Sequence, residues 1–277
     1  MPEKYDLHCH STASDGTLSP TGLVQRAKNN GVTCLSLTDH DTTAGIIEAQ
    51  TTADKIGIKL IPGVELSANW ENKTLHIIGL NIKPASPELS RGIKNLQTTR
   101  KERAEKISLK LAKKNIDGAL EAVKKLAGKG MITRLHFANF LVSNNHVATQ
   151  QKAFDKFLGK GKPAFVTTQW PELETTVSWI LDSGGIPIVA HPLRYKLSAS
   201  WMARLLSAFK DMGGEAIEVV TGRSSAEEIY ISGKYAKKFG LAGSIGSDFH
   251  SPDNVWVELG RLAELPSEIK PVWNLLD

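Results

Sequence analysis

The stretch Tyr5-Asp6-Leu7-His8-Cys9-His10-Ser11-Thr12-Ala13-Ser14-Asp15-Gly16 decides how the rest of the chain is interpreted. In a β-strand successive side chains point to opposite faces, so His8 and His10 share one face while Leu7 and Cys9 pack on the other. Two imidazoles on one face of a strand can bind one metal ion. The following turn leaves Asp15 just beyond the strand. Taken alone, the two histidines fit a metal site and a pair of buried core histidines about equally well.

Working outward from this stretch, strands and helices alternate along most of the chain. The predicted strands are residues 33–37, 59–66, 74–80, 185–192, 215–220 and 242–250. The predicted helices between them are residues 20–30, 44–56, 172–183, 200–212 and 225–239. This alternation is typical of a parallel α/β sheet or barrel.

The alternation stops between residues 88 and 158, where leucines and isoleucines recur at helical spacing in a charged background. Gly118 and the Gly128-Lys129-Gly130 break divide this region into several helices. We therefore predict three parts: the first part of a barrel in residues 1–87, a helical insertion in residues 88–158, and the second part of the barrel in residues 159–277.

Positive charge is concentrated in the predicted insertion. Between Arg91 and Met131 there are 12 Lys or Arg and 4 acidic residues, a net charge of 12 − 4 = +8. The whole chain carries +5, so the remainder carries 5 − 8 = −3. Such a basic segment can attract phosphate-rich ligands or single-stranded nucleic acid. The alternative is a solvated face of a long helix.

Composition indicates an ordinary globular protein of 277 residues, 41% hydrophobic and 23% charged. No apolar run approaches the roughly 18 residues of a membrane span, and the first residues lack the features of a signal peptide. We therefore expect a cytoplasmic protein with no membrane association and no obligatory protein partner. Cys9 and Cys34 lie in predicted strands, which favours two buried reduced thiols over a disulfide.

Most of the histidines, together with several carboxylates, fall at or just past the C-terminal ends of predicted strands, and one more histidine lies within a strand. These residues are His8, His10, Asp15, His40, Glu65, His76, His191, Asp248 and His250. In parallel barrels that end carries the active site. Mixed imidazole and carboxylate ligands suit zinc, manganese or iron, and a bridging carboxylate suits a site with several ions.

These motifs resemble a known family. They are His8-Cys9-His10, Thr38-Asp39-His40-Asp41, Pro62-Gly63-Val64-Glu65, Ala190-His191-Pro192 and Gly246-Ser247-Asp248-Phe249-His250. In order and spacing they are similar to those of the PHP (polymerase and histidinol phosphatase) superfamily. The resemblance implies an α/β fold, a distorted seven-stranded β/α (TIM-like) barrel with a helical insertion. The Asp15-Gly16 step and Arg134-Leu135-His136 look most like the bacterial branch of 3′,5′-nucleotide bisphosphate phosphatases, which includes the 5′-to-3′ exoribonucleases called RNase AM.

Position by position, the resemblance implies three groups of metal ligands. The first group is His8, His10, Glu65 and Asp248. The second is Glu65, His76 and His191, with Glu65 bridging, and the third is Asp15, His40 and His250. The cofactors implied are two to three divalent ions, with manganese expected and zinc, iron or magnesium as alternatives. Glu65 and Asp248 are the expected catalytic carboxylates.

The function implied is removal of the 3′-phosphate from 3′,5′-bisphosphonucleotides such as pAp, extended to short 5′-phosphorylated RNA. Candidates to bind the second phosphate are Arg134, His136, Arg194 and Arg223. Arg134 is the strongest of them because it stands at a predicted helix start, where an anion is favoured. The alternatives are a histidinol phosphate phosphatase and a non-catalytic PHP module that docks RNA or a polymerase.

Overall fold

The computed structural model describes residues 3–276. Its seven strands are β1 (Tyr5–Asp6), β2 (Cys34–Leu37), β3 (Lys59–Trp70), β4 (Lys73–Leu80), β5 (Ile186–Val189), β6 (Ala216–Thr221) and β7 (Ala242–Gly246). Its α-helices are α1 (Pro20–Asn29), α2 (Ile46–Ile56), α3 (Pro87–Ala112), α4 (Ala119–Ala127), α5 (Arg134–Ser143), α6 (Gln150–Ala153), α7 (Leu173–Asp182), α8 (Ala199–Asp211) and α9 (Ala226–Phe239). The predicted elements are therefore present, with ends that differ by a few residues.

The seven strands form one sheet in sequence order, β1 to β7. Its two edge strands meet, because the Leu7 N–H donates to the Ile245 carbonyl at 3.0 Å and Cys9 pairs with Phe249 in a parallel bridge. The sheet is therefore a nearly closed barrel with the helices around it. The predicted β/α barrel is confirmed.

One strand runs against the others, so the barrel is mixed, whereas the alternation favoured a parallel sheet or barrel. β4 is antiparallel to both β3 and β5, whereas the remaining neighbours are parallel. The reason is the connection between β3 and β4, which consists of Glu71 and Asn72 at φ 45° and 62°. Two successive residues with positive φ form the tight turn that joins antiparallel strands, whereas a parallel pair needs a crossover.

The outer helices start and end where the sequence indicates. In α1 the Ser19 side chain accepts from the Gly22 N–H at 3.1 Å and Pro20 occupies the first turn. These are the preferred residues at a helix N-terminus. α2 ends at Gly57, which has φ 69°, a conformation that glycine adopts at no steric cost.

Helix α3 belongs to two hydrophobic cores. Leu89, Ile93 and Leu96 in its first half pack in the core of the barrel. Its second half, beginning at Ala104, packs in a separate core that continues to Val166. We call residues 104–166 the helical lobe. The core of the helical lobe thus begins inside α3 and extends past residue 158. The predicted boundaries of the insertion, residues 88–158, stay a prediction.

No helix within residues 3–276 is long and apolar enough to cross a membrane.

Candidate metal centre

Nine side chains meet at one end of the barrel, around the buried carboxylate of Glu65. They are the nine candidates from the sequence: His8, His10, Asp15, His40, Glu65, His76, His191, Asp248 and His250. Glu65 lies in the middle of β3 rather than at its end, which corrects the sequence interpretation. The strand β3 continues past the last residue of its neighbour β2 and pairs there with β4. The end of β2 therefore lies beside the middle of β3, where Glu65 is located.

The first predicted ligand group is compact. Nε2 of His8 and Nε2 of His10 are 3.1 Å apart, and Oε2 of Glu65 lies 3.4 Å and 3.3 Å from them. Oδ1 of Asp248 lies 3.4 Å from the His8 nitrogen and 3.2 Å from the His10 nitrogen. Four ligand atoms placed about 2.1 Å from one ion in a tetrahedron are about 3.4 Å from one another. His8, His10 and Glu65 therefore fit a single divalent ion, and Asp248 lies within 3.4 Å of the same two imidazoles.

The second predicted group uses the other oxygen of Glu65. Oε1 lies 3.1 Å from Nδ1 of His76 and 3.0 Å from Nε2 of His191. Because its two oxygens face two different groups of imidazoles, Glu65 is placed to bridge two ions.

The third predicted group surrounds Asp15. Its Oδ1 lies 3.4 Å from Nε2 of His250, and its Oδ2 lies 4.0 Å from Nε2 of His40. His10 also faces this group, with Nδ1 4.0 Å from the Asp15 carboxylate. The following residue must be glycine, since a Cβ at Gly16 would lie 2.2 Å from the His10 carbonyl oxygen. The Asp15-Gly16 step thus lets this loop approach the barrel closely.

Several buried ligand atoms lack a hydrogen-bond partner among the described residues. They are Oδ1 of Asp15, Nδ1 of His40, Oε2 of Glu65, Nδ1 of His76 and Nδ1 of His191. Nδ1 of His40 and Oε2 of Glu65 are 2.9 Å apart, but their relative orientation does not form a hydrogen bond. Leaving such groups unsatisfied is costly. Ligation of shared ions would satisfy the Asp15, Glu65 and His76 atoms, which face the ligand groups, so the residues present fit a metal cluster.

Some of these side chains already have the protonation state that binds metal, whereas at His8, His40 and His250 burial is outweighed by the neighbouring carboxylates, which raise the pKa. Burial and neighbouring imidazoles lower the pKa of His10 to about 3, and burial lowers the pKa of His76 to about 4. Burial raises the pKa of Glu65, but the imidazoles around it outweigh burial and hold the pKa well below its usual range. Neutral imidazoles and a charged carboxylate are the forms that bind metal. For His250, burial lowers the pKa, but the Asp15 carboxylate raises it to about 9, so an ion bound there replaces a proton.

Three further buried carboxylates position these ligands, and the sequence analysis did not identify them. Glu218 accepts the backbone N–H of His191 at 2.6 Å and lies 2.9 Å from Nδ1 of His8. Asp39 accepts the backbone N–H of Ser11 at 2.7 Å. Asp41 accepts the backbone N–H of Ser67 at 2.7 Å. A usable signal existed for Glu218, a charged residue with apolar neighbours on both sides in strand β6.

A cluster of positive charge lies beside the metal centre, in a shared cavity of about 1420 Å³. We call Arg100, Arg103 and Arg134 the arginine cluster. Arg100 is neutralised by Asp41, whose Oδ2 lies 2.5 Å from its Nε. Arg103 and Arg134 form no ion pair in residues 3–276, and burial together with neighbouring arginines lowers the pKa of both. Nε of Arg103 is buried without a hydrogen-bond partner.

The four predicted substrate residues have different locations. Arg134 and Arg223 line the cavity. Arg194 also lines it and pairs with the Asp248 carboxylate. His136 is buried, and its Nδ1 accepts the Thr133 N–H at 3.1 Å in a capping box at the start of α5. That hydrogen bond occupies Nδ1 and leaves Nε2 open, and His136 is not among the residues that line the cavity, so a role in substrate binding stays a prediction.

Comparisons with known proteins agree with this geometry. The PHP domain family model matches residues 6–161. The chain is 45% identical over 274 residues to a 5′-3′ exoribonuclease of Haemophilus influenzae, covering 99% of each protein. It is 39% identical over 273 residues to a 3′,5′-nucleoside bisphosphate phosphatase of Chromobacterium violaceum, covering 98% of this chain and 96% of the relative.

Solved structures show the same relationship. One is an amidohydrolase from Chromobacterium violaceum with bound sulfate and no metal, with a TM-score of 0.94 and 39% identity, covering 99% of this chain and 95% of that one. Another, from Bifidobacterium adolescentis, is provisionally described as a metal-dependent phosphoesterase, with a TM-score of 0.83 and 25% identity, covering 100% of this chain and 95% of that one. With the family match, the full-length relatives and the clustered ligands in agreement, the chain belongs to the PHP domain family.

Proposed function

We propose that this protein is a metal-dependent phosphohydrolase that removes the 3′-phosphate from 3′,5′-bisphosphonucleotides such as pAp, and that cleaves short 5′-phosphorylated RNA by the same step. The observation that carries the proposal is the single cavity shared by the ligand cluster and the arginine cluster. A substrate with two phosphates would place one at each. The names of the two relatives, an exoribonuclease and a bisphosphate phosphatase, support the same substrate class.

The ligand groups described above would hold two to three divalent ions, for which we propose manganese. When bound, such ions supply an activated water and neutralise charge on the phosphate and on the departing oxygen. The protein's own contribution is placement: Glu65 lies between the ligand groups, and Asp248 completes the first of them. No Ser/His/Asp triad or phosphate-accepting cysteine is needed for this chemistry.

The arginine cluster would bind the phosphate that is not cleaved. Arg134 and Arg103 lack an acidic partner among the described residues, so their charges are available to an anion. A guanidinium can bind two phosphate oxygens at once. Binding there holds the 3′-phosphate at the metal centre, which contributes to the rate by orientation.

The reaction balances without another reactant. The oxygen of water forms a bond to phosphorus, the bond between phosphorus and the 3′ oxygen breaks, and the 3′ oxygen takes a proton. With a bisphosphonucleotide the products are the 5′-monophosphate and inorganic phosphate. With 5′-phosphorylated RNA the same bond breaks, and the phosphate remains on the next nucleotide.

A side-by-side assay tests the proposal with pAp, histidinol phosphate and a 5′-phosphorylated dinucleotide, each with added Mn²⁺ and with chelator. We expect release of phosphate from pAp and of mononucleotide from the dinucleotide, both abolished by chelator and by Asp248→Ala. The matched control is Asp211→Ala, at an exposed aspartate of α8. Preferential hydrolysis of histidinol phosphate would contradict the substrate class. No hydrolysis of any substrate, with metal bound, would favour a non-catalytic PHP module.

A further inference from the structure

Trp256 is unusually exposed for so large an apolar side chain. It is 70% exposed, as is its neighbour Val255, and it lines the cavity that holds the metal centre. A contiguous exposed apolar patch commonly marks a binding surface, and Trp256 and Val255 are adjacent in the chain. Trp256 follows His250 by six residues, so its loop starts at a candidate metal ligand.

The loop that carries Trp256 is held on both sides of the indole. The side chain of Arg261 donates to the Val255 carbonyl at 2.8 Å, and the Val257 N–H donates to the Asn254 carbonyl at 3.0 Å. Val257 is buried in the core beneath. The indole is therefore presented by an anchored loop, which reduces the entropy cost of binding a flat partner.

The loop that carries Asp15 contacts both the helical lobe, to which Arg134 belongs, and the segment after β7, to which Trp256 belongs. On the lobe side of this loop, the Met131 N–H donates to the Ala13 carbonyl at 2.8 Å. On the other side, the Thr17 N–H donates to the His250 carbonyl at 2.8 Å. The arginine cluster and Trp256 therefore belong to different parts of the wall of the cavity that holds the metal centre.

The part of the cavity wall that contains Trp256 also includes the loop after β6. A Cβ at Gly222 would lie 3.0 Å from Cγ1 of Val257, so the two loops are in contact. We call Arg223, Ser224, Asn254, Trp256 and Val257 the tryptophan rim; all five line the cavity.

Charge on the tryptophan rim is low. The rim's one charged member, Arg223, is exposed and forms no ion pair within the described residues. Two acids also line the cavity nearby and keep their negative charge: Glu228 accepts the Ser225 N–H at 2.8 Å, and Asp253 accepts the Ser251 hydroxyl at 3.0 Å. A flat indole with one nearby cation suits a nucleobase and a single phosphate. The arginine cluster, in contrast, suits a phosphate alone.

We propose that the tryptophan rim binds the second nucleotide of a 5′-phosphorylated RNA, with its base stacked on Trp256. This inference rests on the proposed function. If the 5′-phosphate occupies the arginine cluster and the 3′-linked phosphate occupies the metal centre, the tryptophan rim is a part of the cavity wall that is left for the remaining chain. Every base has a face that stacks on an aromatic ring, so the rim accepts any sequence. A bisphosphonucleotide has no second nucleotide and leaves the rim empty.

The test compares pAp with the 5′-phosphorylated dinucleotide pApA. We expect Trp256→Ala to lower kcat/KM for the dinucleotide roughly five- to a hundredfold more than for pAp, the scale of one lost base stack. Trp256→Phe should restore most of the difference. The matched control is Tyr230→Ala, an aromatic side chain of α9 that is 62% exposed and outside the cavity lining. Titration calorimetry in chelator should show the same selective loss of dinucleotide binding without cleavage.

Each outcome separates the two proposals. Intact pAp hydrolysis with an equal or absent effect of Trp256→Ala on both substrates overturns the tryptophan rim and leaves the proposed function standing. Failure of the unaltered protein to hydrolyse pAp and the dinucleotide overturns the proposed function and the rim with it.

Discussion

Glu218 lies 2.9 Å from Nδ1 of His8, at the edge of the imidazole opposite the Nε2 that faces His10 and Asp248. Both residues are fully buried. This contact fixes Nδ1 as the donor and leaves Nε2 free to bind an ion, the arrangement that carboxylates commonly impose on metal-bound histidines.

Glu218→Gln should weaken metal binding. The carboxylate accepts from both His8 and the His191 backbone, and an amide offers only one acceptor oxygen for the two donors. Loss of such a supporting residue typically costs about 10- to 100-fold in metal affinity or activity. The measurement is metal titration of the purified protein, with exposed Glu268→Gln as control. An unchanged affinity would mean that Glu218 only fills the barrel interior.

Arg134→Ala should lower kcat/KM for bisphosphonucleotides roughly ten- to a few-hundred-fold, the scale of a lost charge-assisted hydrogen bond. Metal content should stay unchanged, because a guanidinium is not a ligand here. A simple phosphate monoester, which lacks the second phosphate, should be hydrolysed at nearly the unaltered rate.

The matched control for Arg134 is Arg91→Ala, an exposed arginine of α3 that pairs with Glu88 at the helix surface. Equal losses on both substrates would indicate that Arg134 contacts the reacting phosphate. No loss on either would indicate a structural role, consistent with its guanidinium lying 5.8 Å from the Phe154 ring.

Lys101 and Lys106 test whether the exposed face of α3 binds nucleic acid. Both are exposed, and Lys106 has only a surface ion pair with Glu102 at 3.9 Å. Replacing both with glutamine should weaken binding of oligonucleotides more than of pAp and reduce its salt dependence. The control is the same change at Lys237 and Lys238 on α9. Equal binding by the variant and the unaltered protein at low salt would show that this face is only solvated.

The two cysteines should react slowly in the native protein. Burial raises the pKa of Cys9 well above its usual range and that of Cys34 to about 11, so both stay protonated at pH 8. The thiolate is the reactive form, and burial also excludes the reagent. A colorimetric thiol assay should detect two thiols quickly only after denaturation. Rapid labelling of the native protein, or no thiols in denatured protein without reductant, would contradict this.

The sequence predicted the barrel and the candidate ligands because both have local signatures. Alternating apolar strands and amphipathic helices predict the fold class, and His8 and His10 appear in one short stretch. The reversal of β4 was missed because the turn at Glu71-Asn72 lacks the glycine that usually marks such a hairpin.

Other features depend on tertiary packing and have no local signature. Arg103 looks like any solvent-facing arginine of a charged helix, and it reaches the cavity only because α3 packs beside Trp170, whose ring lies 5.5 Å from its guanidinium. The capping role of His136 also depends on the fold: its Nδ1 completes the start of α5, while its predicted role in substrate binding stays a prediction. Manganese and a cytoplasmic location stay predictions.

The bond between Arg100 and Asp41 has a consequence for substrate length. Asp41 directly follows His40 in the chain and also holds Ser67 of β3, two residues beyond Glu65. Buried contacts through Asp41 thus connect Arg100 of the arginine cluster to His40 and to the strand that carries Glu65. Two anion positions fixed at one separation select molecules by the spacing of their phosphates. Under the proposed function, bisphosphates with a longer or shorter spacer would place one phosphate at the metal centre or at the arginine cluster and would not reach the other.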